Sequence, residues 1–430
     1  MIRFLYNLLY PLALLLFLPG YLLKMYRRGN YRNKFAQRFG IYDPKTRARL
    51  ARQPNTWMHA VSVGEVMIAL KLADKMRVLE PDLSIALTTT TTTGFALARR
   101  QAPPWIETLY TPLDFWPIMR RAFAVIQPTR IVLVEAEVWP NLTAIAHRRR
   151  IPLALVNARL SPRSERRFQR FNRFVSPYFR KLDLVCAQEP EDVDRWRSLG
   201  APSNRIQPVG SIKFDPEADA PIPDRPRAVL HQLGIEENRP ILLAGSTHPG
   251  EEAILARTFL ELRREFAGLF LIIAPRHVER TRDIAAELKR LGLLVGRRSE
   301  PDPTLKLDCL LLDTTGELRD WFAVATIVFM GKSLTVHGGQ NPVEPIVARR
   351  PVVFGPHMEN FAALAHSLIA SGGARQCQNE TSLTNEIRTL LRNPAEREEL
   401  VARAQEVLDR HRGATGRTAE LLHELRPRPG

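Results

Sequence analysis

Short apolar runs and amphipathic stretches alternate along the chain from residue 55 onward. Such alternation predicts parallel strands covered by helices, because a strand buried on both faces is apolar throughout while a covering helix buries only one stripe. Strands are expected at 56–62, 83–89, 130–135, 152–157, 182–187 and 206–210 in the first half, and at 240–245, 269–274, 308–312, 327–330 and 352–355 in the second. Between the halves, residues 214–228 (FDPEADAPIPDRPRA) are dense in proline and charge and lack periodicity, as an interdomain linker does. The expected architecture is therefore α/β, with Rossmann-like domains over 24–213 and 229–430. Final helices from about Thr384 are long enough to pack back on the first domain. Two such domains facing a cleft would present the carboxyl ends of both sheets, the edge at which sheets of this kind bind ligands.

Ahead of this pattern lies an uninterrupted apolar run, residues 4–23, long enough at 20 residues to cross a hydrocarbon layer as a helix. Only Arg3 precedes it, whereas Lys24, Arg27, Arg28, Arg32, Lys34 and Arg38 follow. A cleaved signal peptide carries its charge before the apolar run, so residues 1–23 are expected to be an uncleaved membrane anchor. The positive-inside rule then leaves all later residues on the cytoplasmic side. Pro11, Pro19 and Gly20 suit a kinked, half-inserted helix as well as a spanning one.

Composition changes the picture mainly through charge. Lys and Arg total 62 against 45 Asp and Glu, a formal charge of +17, on a chain that is 45% hydrophobic and 25% charged; these proportions exclude disorder and a multi-span membrane protein. Residues 1–52 carry a net +10 and residues 159–181 a net +7, so two short segments hold the whole excess. In the second, Phe168, Phe171, Phe174 or Val175, and Tyr178 recur at helical spacing between Arg167, Arg170 and Arg173. The aromatics either enter the core or form a face that docks on anionic headgroups or an acidic lipid. No recognised nucleic-acid module accompanies the charge, so no nucleic-acid partner is expected. Cys186, Cys309 and Cys377 form no CxxC pair and have no histidine at metal-ligand spacing, which argues against disulfides and zinc and for a reducing compartment. Asp192-Val193-Asp194 falls inside an expected helix, where chelation is unfavourable, so no metal site is expected.

Candidate chemistry gathers at strand ends. Ser62-Val63-Gly64-Glu65 opens a helix and reads equally as a capping box, with Glu65 returning to the amide of residue 62, or as a turn that brings substrate to a general base. Glu135 and Glu137 lie two apart and would point the same way if their strand continues, an unfavourable pairing unless a cation relieves it. Lys213 supplies a cation at the domain junction, and Arg276 follows another strand, where it suits a phosphate or carboxylate. Asn341 as N-cap, Pro342 at the first helical position and Glu344 at the third make a helix start, and the glycines before it expose amides to an anion. Neither GxGxxG nor a Walker loop is present. A metal-free phosphate site in a two-domain Rossmann-like chain points to a nucleotide-sugar enzyme.

HAVSVGE (59–65), YTPLDF (110–115), EAEVWPN (135–141), NARLSPRS (157–164), GSIKFD (210–215), GSTHPGEE (245–252), APRH (274–277), GKSL (331–334) and GGQNPVEP (338–345) together resemble the ordered motifs of the 3-deoxy-D-manno-octulosonic acid (Kdo) transferases of lipid A biosynthesis. The resemblance runs from the anchor to about residue 361. It implies a GT-B glycosyltransferase fold and inverting, metal-independent transfer of Kdo from CMP-Kdo to the lipid A precursor, lipid IVA, at the cytoplasmic face of the inner membrane. Position by position it implies Glu65 as general base and Glu135 and Lys213 as transition-state stabilisers. Pro275, Arg276, Gly316, Glu317, Leu318, Asn341, Pro342, Val343 and Glu344 would hold CMP. It implies no cofactor beyond the donor substrate. Ala136 and Val138 stand where the family commonly has Thr and Leu, which leaves Glu137 a competitor of Glu135. Two other functions fit the residues alone: a GT-B enzyme using a UDP-sugar, and a non-catalytic membrane-tethered protein that binds anionic lipid.

Overall fold

The computed structural model describes residues 2–27, 34–136, 138–160, 162–216 and 225–425. Arg28, Arg32, Glu137 and residues 217–224 of the expected linker lie outside them. The chain divides into two compact units, Met1–Asp215 with Gly413–Gly430, and Pro216–Arg412. The division thus falls within the linker foreseen from sequence, and of the final helices only the last belongs to the first unit.

The first unit holds seven parallel strands: β1 (Asn55–Ala60), β2 (Ile85–Thr89), β3 (Ile106–Tyr110), β4 (Pro128–Val134), β5 (Leu153–Ala158), β6 (Leu184–Ala187) and β7 (Ile206–Pro208), in the order β3-β2-β1-β4-β5-β6-β7. Alternate residues serve opposite layers. Ile131 and Leu133 of β4 join the cluster of Trp57, Phe123 and Phe179, whereas Val132 and Val134 join that of Met58, Leu72 and Met76. The last helix, Ala414–Glu424, completes this second layer through Ala419 and Leu422. Asp215 fixes its start by accepting the amides of Gly413 (2.7 Å) and Thr415 (2.8 Å), and buried Arg130 ties its end to Glu80.

The second unit repeats the plan with β8 (Ile241–Thr247), β9 (Phe270–Pro275), β10 (Val295–Arg297), β11 (Cys309–Leu311), β12 (Ile327–Met330), β13 (Val352–Phe354) and β14 (Arg375–Gln376), in the order β10-β11-β9-β8-β12-β13-β14, all parallel. In both sheets the chain adds strands first to one side and then to the other. The reversal leaves a switch point between β1 and β4 in the first unit and between β8 and β12 in the second.

Two segments that carry the charge excess have structures of their own. The N-terminal helix, Ile2–Arg27, is held against the first unit: the Asn7 amide exchanges hydrogen bonds with Asn141 (3.0 Å) and accepts the Trp116 amide (3.0 Å), and Tyr10 stacks on Phe115 with ring centroids 5.6 Å apart. Leu8, Leu12, Leu15 and Leu16 remain exposed. Over the described residues, no helix is long and apolar enough to cross a membrane.

The basic aromatic segment is not one helix but two, Pro162–Arg170 and Asn172–Phe179, broken at Phe171. Phe168 meets Phe179 edge-on at 5.5 Å. Eleven residues of unbroken helix would separate them by about 16 Å, so the contact requires the break. Phe179 is buried against Trp196, while Phe171 and Phe174 are exposed, with Arg170 over the Phe171 ring. The aromatics are therefore shared between core and surface. Between this segment and the N-terminal helix lies an apolar cavity of about 300 Å³, lined by Leu5, Leu9, Phe168, Phe174 and Val175 among others.

Candidate active site

The switch point of the first unit gathers the charged groups singled out in its sequence. Glu65 follows β1 on the first turn of the helix Val63–Leu79, and Glu135 follows β4, the neighbouring strand. Glu65 is buried, and both its oxygens are engaged: Oε1 accepts the Ser62 hydroxyl and Oε2 the Val61 amide, each at 2.8 Å. Half of the expected capping box is present, the Glu65 amide donating to the Ser62 hydroxyl at 3.4 Å, while the Glu65 side chain takes the amide of Val61 in place of that of Ser62. A carboxylate has about four lone-pair sites, so two bonds hold it in place and leave it able to take a substrate proton.

Glu135 lies beyond the end of β4, and its φ of 64° puts it in the left-handed region, which an L-residue adopts at a cost of about 1–2 kcal/mol. The strand stops at Val134, so the continuation on which a shared direction of the Glu135 and Glu137 carboxylates was conditional does not include Glu135. Burial, then the charge of Glu65, pushes the Glu135 carboxyl above its ordinary range, while Lys213 and Arg159 pull it back. Lys213 is lowered by burial and by Arg159, and supported by Glu135. The groups that act on Glu135 and Lys213 thus bring Glu65, Glu135, Lys213 and Arg159 into one electrostatic cluster.

Asn157, near the end of β5 and also left-handed (φ 52°), positions the cation: its side-chain oxygen accepts the Ile212 amide at 3.0 Å and the Ser211 hydroxyl at 3.3 Å, fixing the segment that carries Lys213. Among the described residues its buried Nδ2 has no hydrogen-bond partner.

Other motif residues frame the cluster without joining it. Asp114 accepts the amides of Asn141 and Leu142, both at 2.9 Å, and so caps the helix Pro140–Arg148; burial pushes its pKa up to about 7. His59 on β1 is buried against Trp139, and burial lowers its pKa to about 4, so it stays neutral. It bonds Thr88 through Nδ1 at 3.0 Å.

In the second unit the carboxyl ends of β8 and β12 are organised by Glu251, which is fully buried and accepts four backbone amides: His248 and Lys332 at 2.8 Å, Ser333 at 2.9 Å and Leu334 at 3.0 Å. Gly331 is required there, since a Cβ would lie 2.4 Å from the Ser246 carbonyl oxygen. Pro275 is buried at the end of β9, and the exposed Arg276 after it donates its amide to Thr247 at 3.0 Å. Gly316 turns with φ 90° after β11, and Glu317 accepts from Thr314 and pairs with Arg298 at 3.4 Å; Leu318 starts the next helix.

The expected helix start at Asn341 is shifted. The helix spans only Val343–Val347; Pro342 precedes it, and Asn341 Oδ1 accepts the Val343 amide at 3.1 Å. Glu344 is exposed on its first turn. All these residues follow the carboxyl ends of β9, β11 or β12, the edge where such a sheet binds a nucleotide. Sequence reasoning missed Arg159 and the positioning role of Asn157, although both sit in NARLSPRS; it also missed the role of Glu251, within GSTHPGEE.

Two Rossmann-like units, one with a carboxylate–lysine cluster and one with an exposed arginine after a strand end, have the fold of the GT-B glycosyltransferases. Full-length likeness to solved structures agrees at the level of fold: UDP-GlcNAc 2-epimerase from Neisseria meningitidis bound to UDP-GlcNAc (TM-score 0.53, 11% identity, 86% of this chain and 99% of that one) and the glycotransferase of kitacinnamycin (0.52, 15%, 87% and 100%). The sequence model of the 3-deoxy-D-manno-octulosonic-acid transferase (kdotransferase) family matches residues 33–216. The 3-deoxy-D-manno-octulosonic acid transferase of Bordetella pertussis is 35% identical over 432 residues, 96% of this chain and 98% of its own; that of Haemophilus influenzae is 32% identical over 394 residues, 91% of each. The chain belongs to the Kdo transferase family of glycosyltransferases.

Proposed function

We propose that the chain transfers Kdo from CMP-Kdo to a hydroxyl of the lipid A precursor, lipid IVA, with inversion at the anomeric carbon, in lipopolysaccharide biosynthesis. The observation that supports this most is the cluster of Glu65, Glu135, Lys213 and Arg159 at one switch point. Glu65 takes the proton of the acceptor hydroxyl as its oxygen forms a bond to the anomeric carbon. The bond from that carbon to the CMP phosphate breaks, and the electron pair leaves with CMP. The anomeric centre passes through an oxocarbenium-like state, which the carboxylate of Glu135 stabilises, while Lys213 offsets the repulsion between that carboxylate and the carboxylate of Kdo itself. Pro275, Arg276, Gly316 to Leu318 and Asn341 to Glu344 hold CMP. A monophosphate leaving group develops less charge than a diphosphate, so Arg276 and backbone amides suffice without a metal.

The acceptor side is the first unit. Leu8, Leu12, Leu15 and Leu16 of the N-terminal helix, the exposed Phe171 and Phe174 with their arginines, and the apolar cavity between them favour a helix embedded in the cytoplasmic face of the inner membrane over one that spans it. Cationic side chains there meet the phosphates of the acceptor and of anionic lipids. Incubation with a CMP-Kdo generating system and lipid IVA, followed by mass analysis, tests the reaction: product heavier by whole Kdo units is expected, and unchanged acceptor overturns it. A UDP-sugar donor would show as stronger thermal stabilisation by UDP than by CMP.

A further inference from the structure

We propose that His337, His357 and Glu359 form a binding site for a divalent transition-metal ion, zinc by its ligand chemistry, that clamps together the loops following β12 and β13. The Nδ1 atoms of His337 and His357 lie 2.7 and 3.5 Å from the same oxygen of Glu359, and the imidazole centroids are 3.8 Å apart. Each residue offers one ligand atom within 4.8 Å of the other two, and among the described residues no other group of three does so.

The arrangement is oriented from behind. Glu359 Oε2 accepts the Gly338 amide at 2.7 Å, the His357 amide donates to the Ser333 carbonyl at 2.9 Å, and the Asn360 amide donates to Gly338 at 2.8 Å. Backbone contacts of this kind fix ligand direction in metal sites. Bonds of about 2.0–2.1 Å in a tetrahedral shell put ligand atoms about 3.3 Å apart, so the shorter contact opens by about 0.6 Å and the longer closes by about 0.2 Å. The side chains have room for this, His337 being 76% and Glu359 53% exposed.

Two imidazoles and one carboxylate suit zinc and its neighbours rather than magnesium or calcium, which take mostly oxygen ligands. The fourth position faces solvent. Without an ion, the His337–Glu359 contact is an exposed pair of little energetic worth. With one, two loops distant in sequence are joined at the carboxyl edge of the sheet. His337 immediately precedes Gly338 and Gly339, both at positive φ (130° and 72°), so the clamp restricts the glycine pair that leads to Asn341. The ion serves as a clamp and takes no part in transfer, and the site stands independently of the donor assignment.

Full-length protein freed of metal with a chelator and titrated with Zn²⁺ by calorimetry tests it. One equivalent is expected to bind, and Co²⁺ in its place should give the visible absorption of a tetrahedral nitrogen–oxygen site. His357→Ala and Glu359→Gln should each weaken Zn²⁺ binding by about tenfold or more while their circular dichroism matches the parent. Absence of stoichiometric uptake by the parent, or equal uptake by a His337→Ala/His357→Ala double variant, overturns the proposal.

Discussion

The two units share a strand order and a switch point but use the space there in opposite ways. At the β1–β4 switch point the chain places two carboxylates, Glu65 and Glu135, near enough that the charge of Glu65 raises the pKa of Glu135, with Lys213 and Arg159 as counter-charges. At the β8–β12 switch point the buried carboxylate of Glu251 faces inward and is consumed by four amides. It shapes backbone and leaves the outward charge to Arg276. One topology thus yields a unit suited to moving a proton and a unit suited to holding an anion. The difference lies in how far the carboxylate after the first strand is used up by its own loop: Glu65 accepts two bonds and Glu251 four.

The strongest way to break this contrast is to remove Glu251. Glu251→Ala leaves four backbone amides without their acceptor and should cost the second unit about 3–5 kcal/mol, with loss of CMP binding, while the first unit keeps its melting transition. Calorimetry of the full chain resolves the two; an unchanged second transition would show that the loop organises itself. Next in size, Arg276→Ala should weaken CMP about tenfold by titration, with the fold unaltered. A variant that binds CMP normally would remove Arg276 from the anion site.

Neutralising Arg166, Arg167, Arg170 and Arg173 should act on the other side of the comparison. Severalfold weaker use of the lipid acceptor and weaker binding to anionic vesicles are expected, with CMP affinity unchanged; unaltered acceptor dependence would return that segment to a purely structural role. The smallest effect concerns pH. Burial raises the Glu135 carboxyl above the usual carboxylate range, and the proposed mechanism uses it ionised, so activity is expected to fall as pH drops through its pKa. Lys213 lowers that pKa, and its loss in Lys213→Met should move the acid limb of kcat/KM upward by about one unit. A limb that stays in place would uncouple the pair.

Most of the fold was legible in sequence because strands buried on both faces are continuously apolar. The exceptions are edge or short strands. β3 carries Glu107 and Thr108 amid its apolar residues, and β10 and β14 are three and two residues long, too short to show a period. Glu65, Glu135, Lys213 and Arg276 were visible as charges at strand ends. The left-handed turn at Glu135 was not, nor was the break at Phe171, since each depends on what the chain packs against. Arg159 and Asn157 acquire their roles only when β5 comes to lie between β4 and β6. His337 and Glu359 are likewise far apart until β12 and β13 pair.

The central claim is that the first unit supplies the base and the second only holds the donor. The rate of Kdo transfer by Glu65→Gln at saturating CMP-Kdo tests it most directly, because saturation removes any effect on donor binding. The account predicts a fall of about 10³-fold; a rate within tenfold of the parent would contradict it.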